Sequence, residues 1–177
     1  MTSNLSKFVS YCKNIQPQAQ EDIRRFFEGV VGFPYDKELL LQAYVFLNIN
    51  KLFPLCSELL LFEKPPIGDY TNFGKCDFMY FTAQNTLFLI ETKFIDTTAT
   101  GATERTRRTK HRTKVFEQFI DLRSKFSEYW DIPIEQLECA VFTTDSTLDS
   151  HFYANNVVTK SIPIHTLNQW QQNYKYS

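Results

Sequence analysis

An acidic residue and a lysine interrupt one of the most apolar stretches of the chain. Glu91 and Lys93 lie in the sequence Leu-Phe-Leu-Ile-Glu-Thr-Lys-Phe-Ile, which starts at Leu87. Strand side chains alternate between two faces, so Glu91 and Lys93 share a face with Leu87 and Leu89. A carboxylate and an ammonium among apolar residues are costly unless they are paired or used in chemistry. The stretch therefore predicts either a structural Glu91–Lys93 ion pair or a functional site.

Asp77 supplies a second carboxylate on the preceding predicted strand. A hairpin between the two strands would bring Asp77 close to Glu91. Two close carboxylates bind a hard cation such as Mg²⁺ or Mn²⁺, and water and backbone carbonyls, here that of Thr92, complete its ligands. A lysine beside the cation stabilises an anionic phosphate and helps to orient or deprotonate a water. These residues suit metal-dependent hydrolysis of phosphodiesters.

The elements that must position these residues follow from the hydrophobic pattern. The chain reads as helical to about Gly32, with an amphipathic stripe over residues 18–31. Residues 37–50 predict a helix that is apolar nearly all round and that Asp36 can cap. A β-meander follows, with a hairpin turn between its second and third strands. Its strands are predicted over residues 57–63, 75–81 and 86–95, and its hairpin turn over residues 82–85.

A polar stretch over residues 96–114 separates the meander from an amphipathic helix over residues 115–130. Residues 137–144 predict a fourth strand, placed inside the sheet because it is apolar throughout. A short strand over residues 157–164 and a helix from 165 to about 174 end the pattern. The order predicts one α/β domain over residues 1–177, with a mixed sheet of about four strands flanked by helices.

A family resemblance rests on the same residues. Asp77, thirteen further residues and then Glu91-Thr92-Lys93 resemble the D-x(n)-[D/E]-x-K signature of the PD-(D/E)XK nuclease superfamily, with Cys76 where that superfamily has proline. The predicted order α-β-β-β-α-β over about residues 36–144 also resembles its restriction-endonuclease-like core, with extra helices at both ends. The resemblance implies that Asp77 and Glu91 bind catalytic Mg²⁺ or Mn²⁺ and that Lys93 assists the nucleophilic water. It implies a nuclease, and more specifically an endonuclease, with DNA favoured over RNA.

Two more candidates come from the resemblance. Many members use a glutamate from the helix before the meander, and Glu38 is the best candidate, although a carboxylate there also favours the helix N-terminus by itself. Glu58 and Glu63 are second choices, more typical of charges at strand ends. Some branches place a glutamine on the later helix to contact phosphate or to position the lysine. Gln118 occupies that place, and an ordinary exposed glutamine is the alternative.

A basic segment over residues 103–114 follows the Glu-Thr-Lys strand. It carries a charge of +5, whereas the rest of the chain carries −6. Threonines alternate with its bases, and both groups bond phosphate oxygens, so the segment could guide a nucleic-acid backbone toward the site. The alternative is a solvated mobile loop without a ligand. The predicted backbone-binding residues are Arg105, Arg107, Arg108, Lys110, Arg112 and Lys114.

Composition excludes several other classes of protein. The 177 residues are 43% hydrophobic and 16% aromatic, which rules out disorder of the whole chain, and the net charge of −1 rules out a uniformly basic protein. No window reaches the roughly 18 uncharged apolar residues of a membrane span. The N-terminus lacks the plan of a signal peptide. Four scattered cysteines without a C-x-x-C pair predict buried, reduced thiols in an intracellular, cytoplasmic protein.

Three functional hypotheses remain open at this stage. The first is an active metal nuclease that acts as a homodimer or within a larger complex, because 177 residues leave little room for a recognition domain. The second is a non-catalytic nucleic-acid-binding or assembly protein that keeps the nuclease fold. The third is an interaction domain without a nucleic-acid role.

Overall fold

A computed structural model describes residues 3–16, 20–33, 36–66, 74–98, 101–147 and 156–174. Its helices are α1 (Asn4–Ile15), α2 (Gln20–Gly32), α3 (Lys37–Leu47), α4 (Ile49–Leu52), α5 (Ala102–Trp130) and α6 (Ile164–Tyr174). Its strands are β1 (Cys56–Phe62), β2 (Phe78–Thr82), β3 (Leu87–Lys93), β4 (Leu137–Thr143) and β5 (Val157–Ser161). Within α5, the side chains at positions 102–105, 107, 108, 111, 112 and 116 lie outside the description.

The five strands form one mixed sheet in the order β1-β2-β3-β4-β5. The meander β1–β2–β3 is antiparallel, and β4 and β5 join it in parallel pairs. Parallel neighbours need a long connection between them, which α5 supplies between β3 and β4. The predicted meander and the inner position of β4 are confirmed. The sheet has five described strands instead of about four, because the short strand predicted after β4 pairs with its edge.

Helices cover both faces of the sheet. On one face, α2, α3 and α6 pack against aromatic and aliphatic residues of the strands, among them Phe78, Phe88 and Phe142. On the other face, α1 and α5 pack against Met79, Leu89 and their neighbours. Both faces of β3 are therefore buried, as its continuous apolar sequence requires.

Helix α3 has a hydrogen bond between a side chain and the backbone at each of its two ends. The Asp36 carboxylate accepts a hydrogen bond of 2.8 Å from the Leu39 backbone N–H, which caps the first turn as predicted. At the other end, the Asn48 side-chain amide donates to the Tyr44 carbonyl oxygen at 2.9 Å. The predicted helix over residues 37–50 therefore divides at Asn48 into α3 and the single turn of α4.

The basic segment is helical, which corrects the prediction of a polar stretch as far as residue 114. Helix α5 begins at Ala102, 13 residues before the predicted start, and so contains the basic segment. The pattern missed this part because no apolar residue between 103 and 114 marks a buried face. Arginine, lysine and glutamate nevertheless favour helix strongly.

The cysteines and the helices bear on two predictions from composition. All four cysteines are buried and free of disulfides, as predicted. In the ranges that the structure describes, no helix combines the length and apolar character needed to cross a membrane.

The aromatic packing against α2 gives a stability prediction. Phe27 is fully buried, and its ring lies 5.0 Å from those of Phe46 and Phe62. Phe27→Ala should lower the free energy of unfolding by about 3–5 kcal/mol, because it leaves a cavity in the core. The adjacent Phe26 is 44% exposed, so Phe26→Ala should cost about 1 kcal/mol or less. Urea unfolding of both variants checks the prediction, and equal losses would contradict the packing described.

Candidate active site

Antiparallel pairing of β2 with β3 brings the two predicted metal-binding carboxylates together. Phe78 pairs with Ile90, so Asp77, one residue before Phe78, lies opposite Glu91, one residue after Ile90. Asp77 was predicted inside a strand from residue 75, but β2 begins only at Phe78. Asp77 thus lies where the chain enters the sheet. The side chains at this end of the sheet are polar, whereas aromatic side chains form the core in the middle of the sheet.

Thr92 holds the carboxylate of Asp77. Its backbone N–H donates to Asp77 Oδ2 at 2.7 Å, and its hydroxyl donates to the same oxygen at 2.5 Å. Thr92 is fully buried and Asp77 is 9% exposed, so water competes little for these bonds. The two donors fix the orientation of Asp77 and leave its Oδ1 for another partner.

Lys93 and Glu38 form an ion pair at the same end of the sheet. Lys93 Nζ lies 2.6 Å from Glu38 Oε1, and both side chains are about two thirds or more buried. Glu38 stands in the first turn of α3, where the Asp36 cap fixes the start of the helix. The structure therefore brings all four predicted catalytic residues into one region. It pairs Lys93 with Glu38 and not with Glu91.

The electrostatics of the two carboxylates differ from those of surface acids. Desolvation by burial raises the pKa of Glu91 well above its ordinary value, and the nearby charges of Asp77 and Glu38 raise it further. The Lys93 ammonium lowers the pKa of Glu91 but does not cancel these effects. Burial also raises the pKa of Asp77, against the lowering effect of its two bonds from Thr92. Such groups are costly to ionise unless a cation is added beside them.

The donor set fits a magnesium or manganese ion that keeps much of its water. Within the described ranges, no three side chains of the types His, Cys, Asp and Glu converge as a ready-made metal site. Mg²⁺ commonly uses only one or two protein carboxylates and several waters. The carboxylates of Asp77 and Glu91 offer that number of ligands, and Asp77 is close enough to raise the pKa of Glu91.

A second group of polar side chains adjoins the first. Gln42 Nε2 donates to Glu63 Oε1 at 3.1 Å, and Lys75 Nζ lies 3.3 Å from Glu63 Oε2. The Glu63 backbone N–H donates to the Asp77 carbonyl oxygen at 2.9 Å, and the Glu63 charge raises the pKa of Asp77. The Glu63 side chain is 41% exposed directly after the end of β1, as predicted for a strand-end surface charge, and it also contacts Gln42 and the backbone of Asp77. Glu58 is such a surface charge and pairs with Lys13 at 3.5 Å.

The predicted phosphate-binding residues lie on α5. Lys110, Lys114 and Gln118 are exposed, and among the described side chains no hydrogen bond joins Gln118 to Lys93. The extension of α5 to Ala102 moves Gln118 from an early turn of the helix to its fifth turn. The predicted residues Arg105, Arg107, Arg108 and Arg112 lie on the helix, and their side chains are outside the described residues.

Sequence reasoning missed the supporting roles of several residues. The Thr92 side chain and Lys75 carried no signal of their own, since threonine in a strand and an exposed lysine are ordinary. Only Gln42 had a hint, because it lies one turn after Glu38 on an otherwise apolar helix.

Comparison with known proteins identified no relative of the chain. No family model, curated protein or solved structure matches the chain.

The raised pKa of Glu91 predicts how stability depends on pH. The folded state holds the Glu91 proton more tightly than the unfolded state, so the free energy of unfolding falls as the pH rises from 4.5, the ordinary pKa, toward the raised pKa and stays lowered at higher pH. In EDTA at pH 8, Glu91→Gln should therefore unfold at a higher temperature than the wild type. The difference should shrink as the pH falls toward 4.5, the ordinary value, because wild-type Glu91 is then protonated in the folded state.

Thermal unfolding at several pH values checks this, with Glu58→Gln as the matched control. The Glu58 side chain is 46% exposed and pairs with Lys13 at the surface, so its variant should follow the wild type at every pH. A Glu91→Gln variant that is less stable than the wild type at pH 8 would contradict the assigned environment.

Proposed function

We propose that this protein is a metal-dependent nuclease that hydrolyses phosphodiester bonds of nucleic acid, with DNA favoured over RNA. The observation that carries the proposal is the placement of Asp77 opposite Glu91, with Lys93 held by Glu38 at the same end of the sheet. The order of α3, the meander, α5 and β4 agrees with a restriction-endonuclease-like core, which we propose as the fold class. The expected homodimer or larger complex stays a prediction.

Each residue of the site has a distinct role in this proposal. The carboxylates of Asp77 and Glu91, with the Thr92 carbonyl, would hold one Mg²⁺ or Mn²⁺. The bound ion would supply a water of lowered pKa and offset charge on the phosphate. Thr92 keeps Asp77 in a single orientation through its two donors. The Lys93 ammonium faces the phosphate, where it stabilises the negative charge that develops on the oxygens in the transition state.

Glu38 positions Lys93. A lysine side chain has four rotatable bonds, and it loses considerable conformational entropy when it is held in one place. The 2.6 Å contact with Glu38 fixes the ammonium before substrate arrives. In the reaction, the water oxygen forms a bond to phosphorus and one P–O ester bond breaks. The water's proton leaves to solvent, and the departing oxygen takes up a proton.

The basic half of α5 supports nucleic acid as the substrate. Residues 102–114 span about 20 Å of helix. Lys110 and Lys114 are exposed and four residues apart, a spacing at which like charges on a helix repel each other and destabilise it. Positive charge near a helix N-terminus is also unfavourable. A bound polyanion offsets both costs, and this favours a phosphate backbone as the partner of the helix.

Cleavage assays test the proposed reaction. Labelled single- and double-stranded DNA and RNA are incubated with the protein in Mg²⁺, Mn²⁺ or EDTA. Cleavage should require the metal ion, and Asp77→Asn and Lys93→Met should each lower kcat by at least about 100-fold, because each removes an electrostatic contribution to the transition state.

Lys125→Met is the matched control for Lys93→Met, because Lys125 pairs with Asp121 on the exposed side of α5. Its activity should equal that of the wild type. Circular dichroism shows whether each variant is folded. Folded wild-type protein that cuts none of the four substrates would overturn the proposal.

Salt dependence tests the role of the basic helix. The triple variant Arg105→Gln, Arg107→Gln and Arg108→Gln should bind DNA more weakly. The slope of log affinity against log salt should become shallower by up to about 2.7 for duplex DNA, since each phosphate contact contributes about 0.9. Binding is measured in EDTA by fluorescence anisotropy, so that cleavage does not interfere.

Three lysines of α1 and α5, changed together as Lys7→Gln, Lys13→Gln and Lys125→Gln, give a control of equal charge. An equal loss of slope in both triple variants would show that only net charge matters, and that the basic helix is not the contact.

The same binding assay addresses a second candidate function. The basic helix by itself would suit a nucleic-acid-binding protein without catalysis. Salt-sensitive DNA binding with neither cleavage nor metal binding by calorimetry would favour that function.

A further inference from the structure

A groove between α3, α4 and α6 lies outside the candidate active site. Its volume is about 450 Å³, which is in the range of small-molecule binding sites. Three aromatic side chains line it, Tyr44 from α3 and both Trp170 and Tyr174 from α6. None of the three takes part in the proposed metal chemistry, so the groove is a separate feature of the molecule.

The three rings are held in place from behind. The centroids of the Trp170 and Tyr44 rings lie 4.9 Å apart, with an angle of 87° between the ring planes. Tyr44 also packs against Phe142 of β4 at 5.8 Å, and the Tyr174 ring lies 5.4 Å from that of Trp170. The Tyr174 hydroxyl donates to the Glu28 carboxylate of α2 at 3.4 Å. All three aromatic side chains are only partly buried, so each is fixed on the core and keeps ring surface for a ligand.

Carboxamide side chains supply much of the polar lining of the groove. Asn48, Gln169 and Asn173 belong to it, and each carboxamide has both donors and an acceptor. The Asn48 nitrogen donates to the Tyr44 carbonyl oxygen at 2.9 Å, which leaves Asn48 Oδ1 as an acceptor. Gln169 and Asn173 are exposed and four residues apart, so they lie on one side of α6. Aromatic faces with hydrogen-bonding groups beside them suit the flat face and the polar edge of an unpaired nucleobase.

Lys51 gives the groove its charge. Among the described residues that line the groove, Lys51 is the only one that is ionised at neutral pH. Its side chain is exposed, and a lysine binds phosphate as a point charge. A positive charge without a carboxylate in the lining favours an anionic ligand over a cationic one. Rings, carboxamides and a lysine together fit the base and the phosphate of a nucleotide.

The groove lies close to the candidate active site. Glu38 stands in the first turn of α3, and Tyr44 follows six residues later, about 9 Å along the helix axis. The register of the parallel strands β3, β4 and β5 places Ser161 two strands, or about 10 Å, from Lys93. Ile162, the next residue, lines the groove. At these separations, one strand of nucleic acid is long enough to contact both places.

We propose that this groove binds an unpaired base of the nucleic-acid substrate, with the base stacked on Trp170 and Lys51 at its phosphate. The inference rests on the proposed function, because it takes nucleic acid to be the substrate. A base inside a duplex is stacked on its neighbours and enters such a groove only after it leaves the stack. The groove therefore favours single-stranded or locally unpaired nucleic acid.

Oligonucleotides with and without bases test the groove. Fluorescence anisotropy in EDTA compares three labelled probes: a single-stranded DNA, the same strand with abasic sugars at every position, and a duplex of the same sequence. Trp170→Leu keeps an apolar side chain against Tyr44 and removes the stacking surface. Its affinity for the intact single strand should fall by about 5- to 100-fold. Its affinities for the abasic strand and the duplex should stay within about twofold of those of the wild type.

Tyr129→Ala is the matched control. Tyr129 is an aromatic residue of α5 that is 55% exposed and does not line the groove. Its variant should bind all three probes as tightly as the wild type does. Trp170→Phe keeps a ring and should retain most of the affinity for the intact strand.

A second variant keeps the test independent of how changes at Trp170 affect folding. Gln169→Ala combined with Asn173→Ala alters only exposed side chains. This double variant should lower the affinity for the intact single strand by about 2- to 10-fold, because it removes hydrogen bonds to the base, and it should leave the affinity for the abasic strand unchanged. Circular dichroism shows whether each variant is folded.

The outcomes distinguish this inference from the proposed function. A folded Trp170→Leu variant that binds the intact strand as tightly as the wild type would overturn the inference, and so would equal losses for the intact and abasic strands. The nuclease proposal would stand in both cases if the wild type cuts a substrate in an Asp77-dependent manner. Base-dependent binding that Trp170→Leu loses, in a protein that cuts none of the four substrates, would support the groove and overturn the nuclease.

Discussion

The site depends on the enforced closeness of two desolvated carboxylates, Asp77 and Glu91. Antiparallel pairing places them opposite each other, and burial makes their ionisation costly. The neighbouring groups reduce that cost only in part. Thr92 donates two hydrogen bonds to Asp77, and Lys93 contributes one positive charge near Glu91. A divalent cation would complete the charge balance, since metal binding favours the ionised carboxylates that burial disfavours.

The lysines near this pair are each matched to a further glutamate. Lys93 pairs with Glu38, and Lys75 pairs with Glu63. These two pairs are neutral as units, so Asp77 and Glu91 are the carboxyl groups left to balance the charge of a bound cation. The two glutamates come from different elements: Glu38 from α3 and Glu63 from the end of β1. The charge balance of the site therefore depends on how α3 and the antiparallel strands are arranged together.

The rigidity of the site follows from its location at the end of β3, whose first four residues, Leu87 to Ile90, are buried. Helices cover both faces of β3, and its backbone is paired with β2 on one side and β4 on the other. Glu91, Thr92 and Lys93 are therefore held by their pairing with β4, and the Thr92 backbone N–H also donates to the Asp77 carboxylate. Polar groups on such a strand keep a fixed geometry, which a catalytic arrangement of charges requires.

By itself, the sequence determined the meander, the closeness of Asp77 to Glu91 and the two faces of β3, because strand alternation and short hairpins are local properties of the chain. It also predicted that Glu38 belongs with the Glu-Thr-Lys strand, though only through a family resemblance. Only the tertiary structure decided that Lys93 pairs with Glu38, that Thr92 orients Asp77, and that Gln42 bonds to Glu63. These contacts join residues 15 to 55 positions apart, and their geometry depends on how α3 packs on the sheet. The helical conformation of the basic segment was not predicted for a related reason. The segment has no apolar face, and hydrophobic periodicity indicates a helix only where one face packs against other residues.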